Sequence, residues 1–494
     1  MNQTTPEPGL TRSAISLQTM GLIAGPLFFF ALLSFDVSQN IMGQDAWRTA
    51  AVALLMAVWW STEAIPVSVT SLLPIVCFSL LGVSSLNEAV APYAHPTIYL
   101  FLGAFLMALA VEKCGLHKRL ALAILSRTGT QGTRLIGGFM LTSAFLSMWM
   151  SNTATTMMLL PIAISVIAVV TENVTEISEI KKRNFAVAML LGLAYAATIG
   201  GVGTLIGTPP NALLAAFLEQ NYGIELGFID WLVVGIPVTI ITLPLAWLLL
   251  TRLVYTVDIP ESAATSAHLL QLRKELGAMS LAEKRVAVIF SLVIAGWVLR
   301  KPLQNNFEFT GVSDTSIVIA GAIMLFVVSD GGSKQTLLNW QDTSRLPWGV
   351  LVLFGGGLSL ASAISSSGLA LWLGESVAVL NGYGLFVLIL AIVTLVVFLT
   401  EMTSNLATTA TFLPVMGALA IQAGISPMLL CIPVALAASF AFMLPVATPP
   451  NAIVFSSGML TIPQMVKAGI LLNLFGILLL ILVSMWWAPM IFDY

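Results

Sequence analysis

Long apolar runs recur along the chain, separated by short polar stretches, and strict alternation of polar and apolar positions is absent. A helix needs about 20 apolar residues to cross the hydrocarbon of a bilayer. Conventional spans are expected near 18–35, 47–60, 64–83, 97–112, 229–251, 286–299, 315–329, 349–364 and 468–490. Three stretches, 135–170, 185–218 and 386–456, run too long for one span each and are interrupted by small or polar motifs. Lipid offers no hydrogen bonds, so each span must satisfy its own backbone, as a helix does. No strand-length alternating pattern suggests a barrel. The pattern predicts an all-α polytopic membrane protein.

Composition agrees. The chain is 58% hydrophobic and 9% charged, against about 25% charged in soluble domains. A net charge of −3 disfavours nucleic acid as a partner. Cys77, Cys114 and Cys431 lie isolated among apolar residues and read as core side chains, with no metal-ligand spacing. The polar stretch from Met1 to Leu17 lacks the basic start and short apolar core of a cleaved signal. No HExxH, GxSxG or P-loop pattern occurs, so no enzyme is expected.

Basic residues gather on the cytoplasmic side of a membrane protein, and this rule threads the spans. With Arg12 inside, four spans return the chain to Lys113, Lys118, Arg119, Arg127 and Arg134. The cluster Lys181, Lys182 and Arg183 shares that face only if 135–170 enters, turns and leaves by the same side. Residues 185–218 then cross to a loop with Glu219, Glu225 and Asp230, and loop 252–285 returns inside. Lys334, Arg345 and Lys467 follow if 386–421 is a second hairpin, entering from outside, and 428–456 crosses inward. Seventeen of the 20 Lys and Arg residues then share one face, leaving Arg48, Arg300 and Lys301. The expectation is about 11 transmembrane helices and two re-entrant hairpins in the cell inner membrane. The N-terminus is placed in the cytoplasm and the C-terminus outside. His95 is expected near the outer surface, and Glu63 and Glu112 near span ends.

The chain also repeats itself. SNTATTMMLLP at 151–161 and SNLATTATFLP at 404–414 share seven of eleven residues at an offset of 253 (404 − 151). The same offset aligns Phe101–Leu116 with Phe354–Leu369 and pairs Ser147 with Thr400. TPPNA recurs at 208–212 and 448–452, an offset of 240 (448 − 208). The hairpins enter from opposite faces in the threading, so the two repeats are inverted. Interrupted helices at matching places in two halves point to a binding site at the bilayer midplane.

These motifs offer neutral oxygen and nitrogen. The hairpin tips carry Ser151, Asn152, Thr153, Thr155 and Thr156, then Ser404, Asn405, Thr408 and Thr409. Gly and Pro let the chain unwind before each TPPN. Unwinding frees carbonyls that suit a hard cation, and the resuming half-helices present N–H groups that suit a carboxylate. No Lys, Arg or His occurs in 135–180, 184–251 or 346–466. A buried organic dianion there needs compensation, and a bound Na⁺ is the simplest source. Glu401, three residues before Ser404, stands as a proton relay, a modulator of a sodium site or a structural partner.

At these residues the chain resembles the divalent anion:sodium symporters, the INDY family. The likeness rests on the two Ser-Asn motifs, the two TPPN segments and AVWWSTEAIPVSVTSLLP at 57–74, and covers nearly the whole length. The resemblance implies a homodimer with a still scaffold (1–134 and 229–385) and a transport part moving elevator-fashion (135–228 and 386–494). It implies sodium at Ser147, Ser151, Asn152 and Gly200, and again at Thr400, Thr403, Asn405 and Ala447. The substrate anion would meet Asn152, Thr153, Ser404, Asn405, Thr448 and Pro449. Leu406 departs from the family's second Ser-Asn-Thr triplet, placing apolar bulk where a hydroxyl is expected. Sodium-coupled symport of C4-dicarboxylates is the leading expectation. Sodium-independent exchange, a carrier of citrate or sulfate, and a channel are its rivals.

Overall fold

The computed structural model describes residues 17–34, 42–173, 178–307, 311–332, 335–377 and 384–492. Arg12, Lys334 and both chain ends, which the threading used, lie outside them. Among the described residues the fold is all helical, with one isolated bridge between Ser329 and Thr336. The first half runs α1 (Leu17–Ser34), α2 (Gln44–Thr62), α3 (Val67–Thr70), α4 (Leu73–Leu81), α5 (Leu86–Val90), α6 (Pro96–Cys114) and α7 (Leu116–Leu125). Then come α8 (Gly132–Ser147), α9 (Asn152–Asn173), α10 (Glu179–Val202), α11 (Pro209–Tyr222) and α12 (Phe228–Leu248). The surface helix α13 (Ala263–Glu275) leads into α14 (Leu281–Phe307), α15 (Asp314–Val327), α16 (Trp348–Ser366) and α17 (Leu369–Val377). The last group is α18 (Leu385–Thr400), α19 (Asn405–Gln422), α20 (Pro427–Ala438), α21 (Pro449–Phe455), α22 (Ile462–Leu482) and α23 (Ala488–Phe492).

Seven of the described helical segments are long and apolar enough to cross a membrane, and four shorter apolar ones accompany them. Helix α1 turns most of its surface outward and meets α2 through small residues. A β-carbon at Gly25 would lie 2.6 Å from the Trp59 indole nitrogen, which itself donates to Gly21 O at 3.1 Å. The span expected at 64–83 is two helices, α3 and α4, parted at Ser71 and Leu72. Pro74 has no N–H to offer the Thr70 carbonyl, Ile75 N donates to Leu72 O at 3.2 Å, and the Ser71 carbonyl left over accepts from Tyr93 Oη at 2.5 Å.

Ion pairs sort the loops into two ends. At one end Arg119 meets Glu283 at 2.7 Å, Lys113 meets Asp342 at 2.7 Å, Lys181 meets Asp258 at 2.6 Å, and Arg345 meets Glu112. At the other, Arg300 meets Glu225 at 2.7 Å and Asp314 at 2.9 Å, while Lys301 meets Asp230 at 2.5 Å. Two of the three cations left over by the threading, Arg300 and Lys301, thus neutralise the acidic loop that it placed opposite the basic clusters. His95 sits with them, 3.9 Å from Glu219. The first hairpin starts and ends at the basic end: Gly132 N donates to Ile259 O at 3.0 Å, and Ser165 Oγ lies 2.8 Å from His268 Nε2. The chain goes in along α8 and comes back along α9.

Asp314 also accepts from Phe228 N at 2.9 Å and, like Arg300, is buried. Arg300→Ala would leave that carboxylate without its cation. A loss of about 3 kcal/mol of stability is expected, read as a lower thermal midpoint in detergent.

Candidate functional site

Helix α10 runs through the centre, with every residue from Phe185 to Val202 buried. It stops where Gly200, Gly201 and Gly203 weaken the helix, and α11 restarts at Pro209, whose missing N–H costs nothing in a first turn. The second repeat copies this: α20 ends at Ala438 and α21 begins at Pro449. Thr208 and Thr448 cap the two restarts with near-identical dihedrals, φ −139° and ψ 141° against φ −141° and ψ 150°. Asn211 Nδ2 donates to Thr204 O at 2.9 Å, and Asn451 Nδ2 to Leu444 O at 3.0 Å, each bracing its own loop. Thr204 and Leu444 are related by the same offset as the two TPPNA segments, so the brace obeys the repeat.

Each hairpin tip carries a matching pair. Ser147 Oγ donates to Asn152 Oδ1 at 2.5 Å, and Thr400 Oγ1 lies 2.8 Å from Asn405 Oδ1. Thr156 and Thr409 bond back to the Asn152 and Asn405 carbonyls, both at 2.8 Å. The first tip touches the first break, since a β-carbon on Gly201 would fall 2.5 Å from Asn152 Oδ1 and 3.1 Å from Gly207 O. Gly200 lies against the α8 backbone, where a β-carbon would sit 2.2 Å from Ala144 O. The second tip reaches the second break through Thr400 Oγ1, 2.9 Å from Ala438 O.

The remaining expected residues lie around these contacts. Ser151 is exposed, and its Oγ accepts from Ala154 N at 3.2 Å. Thr153 is half-buried in the first turn of α9. Thr403 Oγ1 lies 2.7 Å from Thr408 Oγ1, and half-buried Ser404 caps α19. Ala447 is buried in the second break, with its N–H on Leu444 O at 3.2 Å. Thr448 is buried and Pro449 exposed. Leu406 is 6% exposed and packs into the apolar core, so protein contacts take up its bulk. Thr155 Oγ1 is buried with no hydrogen-bond partner among the described residues, whereas its mirror Thr408 has Thr403.

The repeats also clasp one another. Helix α21 packs on α9 and α11 packs on α19, so each half-helix lies on the other repeat's hairpin. The breaks differ in access: Ile206 is 8% exposed, and Val446, its counterpart in the second repeat, is 76% exposed.

Sequence reasoning missed the helices that press on the breaks. Trp231 Nε1 of α12 donates to Val202 O at 2.9 Å, and Thr239 Oγ1 to Ile199 O at 3.1 Å. A β-carbon on Gly235 would lie 2.5 Å from Val202 O, and one on Gly469 of α22 would lie 2.3 Å from Phe442 O. These glycines sit outside every repeated motif, so no pattern along the chain marks them.

Paired hairpins and broken helices with neutral oxygens at both tips are the construction of a secondary transporter. The chain belongs to the divalent anion:sodium symporter family: the profile described as sodium:sulfate symporter transmembrane region matches residues 20–493. It is 39% identical over 478 residues to the sodium-dependent dicarboxylate transporter SdcS of Staphylococcus saprophyticus, covering 96% of this chain and 92% of that protein. The Staphylococcus aureus (strain USA300) protein of the same name is 40% identical over 480 residues, with the same coverage. In fold the chain is similar to the YdaH transporter of Alcanivorax borkumensis, with a TM-score of 0.51 at 18% identity, covering 87% of this chain and 98% of that one.

Proposed function

We propose that the protein couples Na⁺ to the uptake of C4-dicarboxylates such as succinate, malate and fumarate. The observation that carries this reading is the mirrored pair of tips. Ser147 with Asn152 and Thr400 with Asn405 gather neutral oxygens beside unwound backbone. The surrounding stretches 135–180, 184–251 and 346–466 contain no cationic side chain. Hard cations favour such oxygen donors, and a cation bound there would compensate a dianion held between the tips. The relatives named sodium-dependent dicarboxylate transporters support the same pairing of ion and anion. Substrate carboxylates would meet Asn152, Thr153, Ser404, Asn405, Thr448 and Pro449. Sodium would sit at Ser147, Ser151, Asn152 and Gly200, and at Thr400, Thr403, Asn405 and Ala447.

Eleven spans, two re-entrant hairpins, a cytoplasmic N-terminus, a homodimer and an elevator movement complete the reading. We assign α12, which lies outside the segment 135–228, to the moving part as well. Its bonds to Val202 and Ile199, and Trp247 Nε1 to Thr133 O at 2.8 Å, favour its travelling with α8 and α10.

Labelled succinate in proteoliposomes tests the coupling. Accumulation should require an inward sodium gradient. Unlabelled citrate and sulfate should compete weakly. Full-rate uptake without sodium, driven only by internal dicarboxylate, would replace symport with exchange.

A further inference from the structure

Glu401 is the only charged residue between 376 and 466, and it is 3% exposed. Its carboxylate fills the second break. Oε1 accepts from Phe442 N at 2.7 Å, Met443 N at 2.9 Å and Asn473 Nδ2 of α22 at 2.6 Å. Oε2 accepts from Met443 N at 3.1 Å and Leu444 N at 3.0 Å. Every partner is a donor, which suits an ionised carboxylate, an acceptor only. Backbone and side-chain amides do not release protons near neutral pH, so this shell gives a proton relay no next carrier.

The first break has no such group. The offset that relates the two hairpins pairs Glu401 with Met148, whose carbonyl accepts from Thr204 Oγ1 at 2.5 Å. Neutral groups brace the rest of that loop: Asn211 on three carbonyls and Trp231 on Val202 O. Two breaks alike in sequence are therefore held by different chemistry.

We propose that Glu401 is a positioning residue for the second cation site. By gathering the N–H groups of 442–444 it holds the unwound segment in one conformation and commits its amides to one side. It also gives that site a fixed negative charge that the first lacks, so the two sites bind sodium with unequal affinity. The inference rests on the sodium reading above for its functional half; its structural half stands without it.

Glu401→Gln keeps the size but turns an N–H₂ group toward backbone donors. Hydrogen exchange of a peptide covering 440–447, followed by mass spectrometry on purified protein, should quicken about tenfold. A peptide covering 201–208 should not change. The sodium concentration for half-maximal succinate uptake should rise about tenfold or more, while the substrate KM at saturating sodium moves less than about threefold. Glu401→Asp keeps the charge with a shorter reach, and should recover part of the sodium affinity. If Glu401→Gln does not fold, Glu401→Asp carries both measurements with smaller expected changes. Unchanged exchange at 440–447 overturns the clamp whatever uptake shows, and unchanged sodium dependence beside faster exchange overturns the role in the cation site. Wild-type uptake that ignores sodium would sink the symport reading instead, leaving exchange to decide the clamp.

Discussion

Asn152→Ala and Asn405→Ala are each expected to reduce sodium-driven dicarboxylate uptake by about 100-fold or more, with folded protein recovered in near-normal yield. Each side chain presents its amide oxygen within 2.5–2.8 Å of a neighbouring hydroxyl, at the meeting of a tip and unwound chain. Removing one ligand of a desolvated ion typically costs about 3 kcal/mol or more, which is about two orders of magnitude in affinity. The folding cost is smaller, because both asparagines are only half-buried and start a helix rather than filling a core. Initial rates across a sodium gradient, normalised to monodisperse protein, decide the matter. Wild-type kinetics in both variants would remove the tips from the transport site.

A second large effect is expected at Gly200. Its missing side chain lets α10 lie on α8, where an added β-carbon would be 2.2 Å from Ala144 O and 2.4 Å from Ala144 Cα. Those atoms are backbone and cannot swing away. Gly200→Ala must force the two helices apart beside the first tip. A loss of about 3 kcal/mol is expected from overpacking, only partly offset by about 1 kcal/mol of better helix propensity. Gly192→Ala, two turns earlier on the same helix, is the control. There the nearest atoms, 3.1 Å away, belong to the flexible Met140 side chain, and near-neutral stability is expected. Thermal midpoints in detergent and sodium-driven uptake should fall for Gly200→Ala alone. Equal behaviour of the two variants would show that the close approach does not matter.

Much of this architecture was legible along the chain, because membrane folds carry two strong signals. Apolar length marked the helices, and the basic residues separated the two ends well enough to place Arg300 and Lys301 opposite the other basic clusters. Their partners Glu225, Asp230 and Asp314 were not predicted, since they come from segments distant in sequence. The repeat marked both tips and both breaks, and the Ser147–Thr400 pairing proved to be a pairing of hydrogen bonds. The division at Ser71 within 64–83 was not legible: Tyr93, which satisfies its carbonyl, arrives from another helix. Gly235 and Gly469 were invisible for a similar reason, as a glycine's value there depends on what presses against it in three dimensions. Glu401 stands out along the chain as a lone charge, but its bonds to the amides of 442–444 are not legible there, since no spacing rule links them to it.

The unequal exposure of Ile206 and Val446 sets the two breaks apart. Equivalent halves of the chain do not present equivalent surfaces. The 443–446 loop is half-buried to exposed, while the 201–208 loop is buried throughout. The molecule therefore has a front and a back that its duplicated ancestry alone would not supply.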